Sequence, residues 1–140
     1  MSKTNHEHLI RRYFEEVWNQ GKLDVLDEII DPHYINHNPG MPNPIQGPEG
    51  LKPIVAGIRK AFPDLKYVIE NMVISDFQVA VHTTMHGTHC GDLFGLAATN
   101  KVVKVSQMQV ERIRDNKIVE HWRVTDELAL FRQLGQMACP

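Results

Sequence analysis

The chain is expected to fold as an α+β domain, with helices packed on one face of a strongly curved, mostly antiparallel sheet. Two observations predict this. Apolar residues recur at helical spacing as far as Phe62, and from Leu65 onward the period changes from about 3.6 to about 2. The second half is also divided by the turn dipeptides Ser75-Asp76 and Asp115-Asn116, which read as hairpin connections. At 140 residues the chain is long enough for a single core and too short for a second, so residues 1–140 are read as one domain.

The first helix is expected to open at Thr4-Asn5-His6-Glu7, which has the form of a capping box, and to close at Asn19-Gln20-Gly21. Between them Leu9/Ile10, Tyr13/Phe14 and Val17/Trp18 make a double-width apolar stripe. A shorter helix carries Leu23, Leu26, Ile29 and Ile30, and Pro32 prevents it from continuing. His33 to Asn38 reads as extended. Three prolines and two glycines between Pro39 and Gly47 then make a loop that neither helix nor central strand could absorb. Pro48-Glu49 opens a third helix with Leu51, Ile54, Val55, Ile58 and Phe62 on one face, becoming regular only at Pro53 and ending at Pro63. Strands are expected at Tyr67–Ile74, Val79–His86, Val102–Ile113 and Ile118–Val124, with a last amphipathic turn or two from Leu128 to Leu134.

Composition narrows the function. A net charge of -2 gives no electrostatic reason to bind nucleic acid or an acidic membrane. No apolar run approaches the ~18 residues of a spanning helix, and the N-terminus lacks a signal-peptide pattern. Two distant cysteines, Cys90 and Cys139, fit free thiols in a reducing cytoplasm.

Metal and nucleophile chemistries are not favoured. His82, His86 and His89 would suit zinc on a helix, but their segment alternates like a strand. Residues four apart on a strand lie about 13 Å apart, so no metal ligand is assigned. There is no G-x-S-x-G elbow and no glycine-rich phosphate loop.

Acid–base chemistry in a pocket remains. In Ile118 to Asp126 the alternation puts Trp122, Val124 and Asp126 on one face. An aspartate facing an apolar interior would be desolvated and raised toward neutrality, becoming a usable base. The alternative is that Asp126 caps the final helix. His37, beside the proline loop, is read as a donor to a substrate carbonyl or as a loop anchor. Phe14, Trp18, Phe62 and Met108 are read as ordinary core or pocket lining.

Several motifs occur together in order: Trp18-Asn19-Gln20-Gly21, Tyr34 to His37, Gly47-Pro48-Glu49-Gly50, Ala61-Phe62-Pro63-Asp64, Gly87-Thr88-His89, Glu120-His121-Trp122 with Asp126, and Gln133-Leu134-Gly135. With them the chain resembles the SnoaL-like polyketide cyclases (ester cyclases) of the NTF2-like superfamily. The resemblance implies a cone around one deep pocket, a homodimer, no metal and no cofactor. It implies an intramolecular aldol condensation of a polyketide-like β-keto ester, with Asp126 as general acid/base and His37 as its catalytic companion. His37 and His89 would hydrogen-bond substrate oxygens, and Phe14, Trp18, Tyr34, Phe62, Met108 and Trp122 would line the site of an apolar or aromatic substrate. Two positions depart from the pattern. Ala97-Ala98-Thr99-Asn100 replaces a Pro-rich turn, and Arg123 stands where an acidic or small residue is frequent. Alternation points Arg123 away from Trp122. The other readings are a non-catalytic binding module for an apolar molecule and a hydratase- or hydrolase-type enzyme, for which Asp64 could be recruited.

Overall fold

The structure is a computed structural model that describes residues 3–40 and 45–136. Cys139 and part of the proline loop lie outside the described residues. The elements run α1 (Lys3–Arg12), a π-helical segment (Tyr13–Trp18), α2 (Val25–Ile29), β1 (Ile30–Asn36), α3 (Pro48–Ala61), β2 (Lys66–Ile74), β3 (Gln78–Thr88), β4 (Val102–Arg114), β5 (Lys117–Thr125) and α4 (Glu127–Gln133). The fold class is the expected one, with helices against one face of a curved five-stranded sheet of order β1-β5-β4-β3-β2. No helix among the described residues is long and apolar enough to cross a membrane.

Three local expectations are corrected. The first helix already includes Thr4, so the capping box does not form, and its second half winds as a π-helix in which Asn19 N–H donates to Phe14 O at 2.9 Å. That wider winding holds Tyr13, Phe14, Val17 and Trp18 all inward, as a stripe advancing by four residues requires. Chain reversal follows at Gly21, whose φ of 74° is a left-handed conformation that glycine adopts freely. The second helix ends at Ile29 and gives way to β1, which pairs parallel with β5 and contains Pro32. The third helix is regular from Pro48 and runs through Pro53.

β2, β3, β4 and β5 form an antiparallel meander, and β4–β5 turns at Asp115-Asn116 with φ of 50° and 59°. Alternation assigns the faces. Val79, Val81, Thr83 and Met85 of β3, and Val103, Val105, Gln107, Gln109, Glu111 and Ile113 of β4, are buried against the helices. The intervening residues, Met108 among them, form the outer face.

Both sheet edges are partly occupied. At the β2 edge, Asn19 donates through Nδ2 to Tyr67 O at 3.0 Å and accepts from Tyr67 N–H through Oδ1 at 2.7 Å. Further along, β2 carries a bulge between Ile69 and Asn71. At the β1 edge, Pro32 offers no donor, His33 N–H is taken by Asp31 Oδ1 at 2.8 Å, and Gly47 N–H donates to Tyr34 O at 2.9 Å.

Candidate functional site

The concave face encloses a pocket of about 260 Å³ beneath α3, α4 and the 93–96 turn. Trp18, Phe62, Tyr67 and Met85 form its inner wall, with Ile54 and Ile58 of α3 above. Into this apolar space project Gln107, Arg123 and Thr125 from β4 and β5, with Glu127 at the rim. A pocket of mostly apolar walls with a few convergent polar groups is the ordinary form of a small-molecule site. A wider groove of about 760 Å³ lies at the opposite end of β4 and β5, around Phe77, Arg112 and Asp115. That groove is lined by charges of both signs rather than by apolar walls, and we assign the site to the concave pocket.

Deeper along the same face lies a polar cluster. His121 and Glu111 are register partners on β5 and β4, each 1% exposed. His121 Nδ1 bonds both carboxylate oxygens of Glu111, at 2.8 Å to Oε2. Burial pushes the Glu111 carboxyl above its usual range, opposed by the His121 imidazole and by Arg123. Among the described residues His121 Nε2 has no hydrogen-bond partner, and neither does the Tyr34 hydroxyl or Asn36 Nδ2. Tyr34 and His121 lie 6.5 Å apart, ring centre to ring centre, and Asn36 is the register partner of His121 on β1. Two buried polar atoms with open hydrogen-bonding capacity therefore lie beside an imidazole nitrogen that is itself open, and each unmade bond costs free energy.

The residues expected to form the site scatter. Trp18 and Phe62 line the pocket. Phe14 is fully buried behind it, 5.5 Å from Tyr67. Tyr34 belongs to the polar cluster. His89 is fully buried, with Nδ1 accepting from Thr99 N–H at 3.2 Å and lying 3.0 Å from Thr99 Oγ1, so it anchors the 99–101 turn.

Three residues sit on the outer face, a correction to their expected role. Met108 is 52% exposed. Trp122 pairs with Val110 in the outward register, and His37 stacks on it at 4.6 Å while bonding Glu120 Oε2 at 3.0 Å. Asp126 is corrected too. It is exposed, lies past the end of β5, and accepts from Ala129 N–H at 3.0 Å as the cap of α4. The cap reading holds and the desolvated-interior reading does not.

The physical reason is one of phase. Trp122 and Val124 do share a face, but it is the outer one, and Arg123 and Thr125 take the inner one. The register shift between Arg112 and Ile113 sets β5 against β4 so that His121 meets Glu111 inside. Asp64, considered for recruitment, instead accepts from Thr88 N–H and Oγ–H, both at 2.7 Å. Among the described residues no group of three His, Cys, Asp or Glu could hold a metal ion.

Comparison with known proteins gives a consistent result. The family described as SnoaL-like polyketide cyclase matches residues 8–134. Aklanonic acid methyl ester cyclase of Streptomyces peucetius is 32% identical over 134 residues, covering 91% of this chain and 89% of that protein. Nogalonic acid methyl ester cyclase of Streptomyces nogalater is 29% identical over 120 residues, covering 84% and 89%. The structure of TsrD from Streptomyces laurentii superposes with a TM-score of 0.90 at 23% identity over 98% and 99% of the two chains, a likeness of fold. With its concave pocket, its sheet order and this match across nearly its whole length, the chain belongs to the SnoaL-like polyketide cyclase family.

Proposed function

We propose that the protein closes a ring in a polyketide-like β-keto ester by intramolecular aldol condensation, with His121 as the acid–base group. The observation that carries this is the buried Glu111–His121 pair, in which the carboxyl holds Nδ1 and leaves Nε2 without a partner. A carboxylate that orients one imidazole nitrogen leaves the other to move a proton.

In the reaction, the substrate reaches past Arg123 to the buried His121, one register step deeper, and Nε2 takes a proton from the carbon between two carbonyl groups. The resulting enolate carbon attacks a second carbonyl, forming the new carbon–carbon bond and an alkoxide. The imidazolium returns the proton to that oxygen. The product is an isomer of the substrate, so no atom or electron is left over. The aromatic walls, Trp18, Phe62 and Tyr67, hold the chain folded so that the two carbons meet.

The substrates named for the relatives, aklanonic and nogalonic acid methyl esters, are the compounds to test. With either, His121→Gln is expected to lower kcat by roughly 10²–10⁴-fold, while Asp126→Asn stays near the wild type. Loss of turnover in Asp126→Asn with full activity in His121→Gln would return the base to the cap position.

We also propose that two copies pair through the outer sheet face. Val73, Ala80, Val110 and Trp122 form one continuous row across four strands, beside Met108 and Val124. Val124 is 72% exposed. Sedimentation of the wild type as a dimer and of Val124→Glu as a monomer is the expected outcome. A cytoplasmic setting is consistent with Cys90, an exposed free thiol.

A further inference from the structure

Arg123 is the group that the ring-closing scheme leaves without a task. It faces the pocket from β5, opposite Gln109, amid the aromatic walls. Its Nη2 donates to Asn38 O at 3.1 Å. Among the described residues Nε and Nη1 have no hydrogen-bond partner, and no carboxylate lies within ion-pairing distance. Two carboxylates stand near it. Glu111 is one register step deeper and already bonded to His121, and Glu127 is exposed at the rim. A guanidinium beside an apolar cavity is poorly solvated, and it gains most from a planar anion that meets its fork with two oxygens.

We propose that the pocket recognises its ligand as a planar oxyanion, two oxygens sharing one negative charge, paired with the Arg123 Nη2 N–H that Asn38 leaves free and with the adjacent guanidinium N–H beside it. The fused-ring body of that ligand lies against Trp18, Phe62 and Tyr67. This rests on the concave pocket as the substrate site, and deepens that reading by fixing the charge of what binds. The shared chemistry has two sources: a carboxylate carried by the substrate, or the enolate that a β-dicarbonyl forms on losing its carbon-bound proton. In the second case the same contact stabilises the charge that develops during ring closure.

The test is a binding experiment that needs no turnover. Calorimetry compares 2-naphthoate with methyl 2-naphthoate, two small fused-ring probes alike except in charge. Arg123→Met and Arg123→Lys are measured beside the wild type, after confirming that all three melt alike. The acid is expected to bind at least about tenfold tighter than the ester in the wild type, a modest share for one charge-assisted pair. That preference disappears in Arg123→Met and is partly restored in Arg123→Lys. Equal affinity for acid and ester in the wild type overturns the proposal and leaves the pocket as the binding site. Failure of both probes to bind the wild type overturns the proposal and the placement of the site together. A preference that persists in Arg123→Met assigns the anion to another group and likewise refutes it.

The absorbance of benzoylacetone, an open-chain β-diketone whose enolate can present both oxygens on one side, titrated with and without protein, separates the two sources. A fall in its apparent ionisation pH, lost in Arg123→Met, supports the pairing through an enolate. No shift, with the naphthoate preference intact, supports it through a carboxylate.

Discussion

Asn19 is expected to stabilise the fold out of proportion to its half-exposed position. Its carboxamide does for Tyr67 what a neighbouring strand would do, taking both the N–H and the C=O that face outward from the β2 edge. Asn19→Ala removes two hydrogen bonds worth about 1 kcal/mol each, and water replaces them only in part. Alanine recovers roughly 0.5 kcal/mol of helix propensity at the end of the π-helical segment. The net loss is about 1.5 kcal/mol, which for a domain of this size lowers Tm by roughly 5 °C. Urea unfolding, followed at constant m-value, is the assay. Asn19→Asp sharpens it: one oxygen still accepts from Tyr67 N–H, while the other meets the Tyr67 carbonyl as acceptor against acceptor. The aspartate is therefore expected to be no better than alanine at neutral pH, and to recover in acid once its carboxyl can donate. A loss below about 0.5 kcal/mol for Asn19→Ala, the range of an ordinary surface change, would show that the edge contact contributes nothing beyond what water supplies.

The other expectations concern capping and pH. Asp126→Ala should cost about 1 kcal/mol of stability by loss of the α4 cap, measured by denaturant unfolding, and Asp126→Asn should cost little because it keeps an acceptor for Ala129 N–H. Burial raises Glu111 above the unfolded-chain value, so between the two values the folded protein holds a proton the unfolded chain has released. Stability is then complete below the ordinary carboxylate range and declines as pH rises through the raised value. Glu111→Gln should flatten that decline in melts from pH 4 to 8. Asp64 works in the opposite sense, held below its usual range by the Thr88 N–H and then the Thr88 hydroxyl. Its contribution is present above the ordinary aspartate range and lost as pH falls through the lowered value. Asp64→Asn, able to accept and donate to the same partners, should remove that step from an acid titration.

Much of the fold was legible because local chemistry and global packing agree. The change of period at Leu65, the glycine at Gly21 and the Asp115-Asn116 turn each mark a boundary that the structure reproduces to within a residue or two. The site was less legible, for a reason internal to β4 and β5. Hydropathy normally identifies the buried face of a strand, but here Trp122 and Val124 lie outside while Arg123, His121, Glu111 and Gln109 lie inside. The signal that could have resolved the phase was on β4. Val103, Val105 and Ile113 are in step with Gln107, Gln109 and Glu111, so the core-forming ends of the strand carry its polar middle inward. The departure at Arg123 was visible in the sequence, and reading the apolar neighbours as the inner set turned it outward. The Glu111–His121 contact is set by the register shift next to Ile113, which no sequence pattern announces.

The partly occupied edges of the sheet bear on how copies of this protein can associate. A free strand edge invites head-to-tail addition, which need not close and so can grow into filaments. Here one edge is covered by the Asn19 carboxamide and bent by a bulge, and the other carries Pro32 and is bonded by Asp31 and Gly47. The pairing proposed above uses the broad outer face instead, where the same patch would meet itself across a two-fold axis. Such an assembly is finite by symmetry: it stops at a pair and leaves both cone mouths clear. Pairing of that kind would limit the particle to two copies.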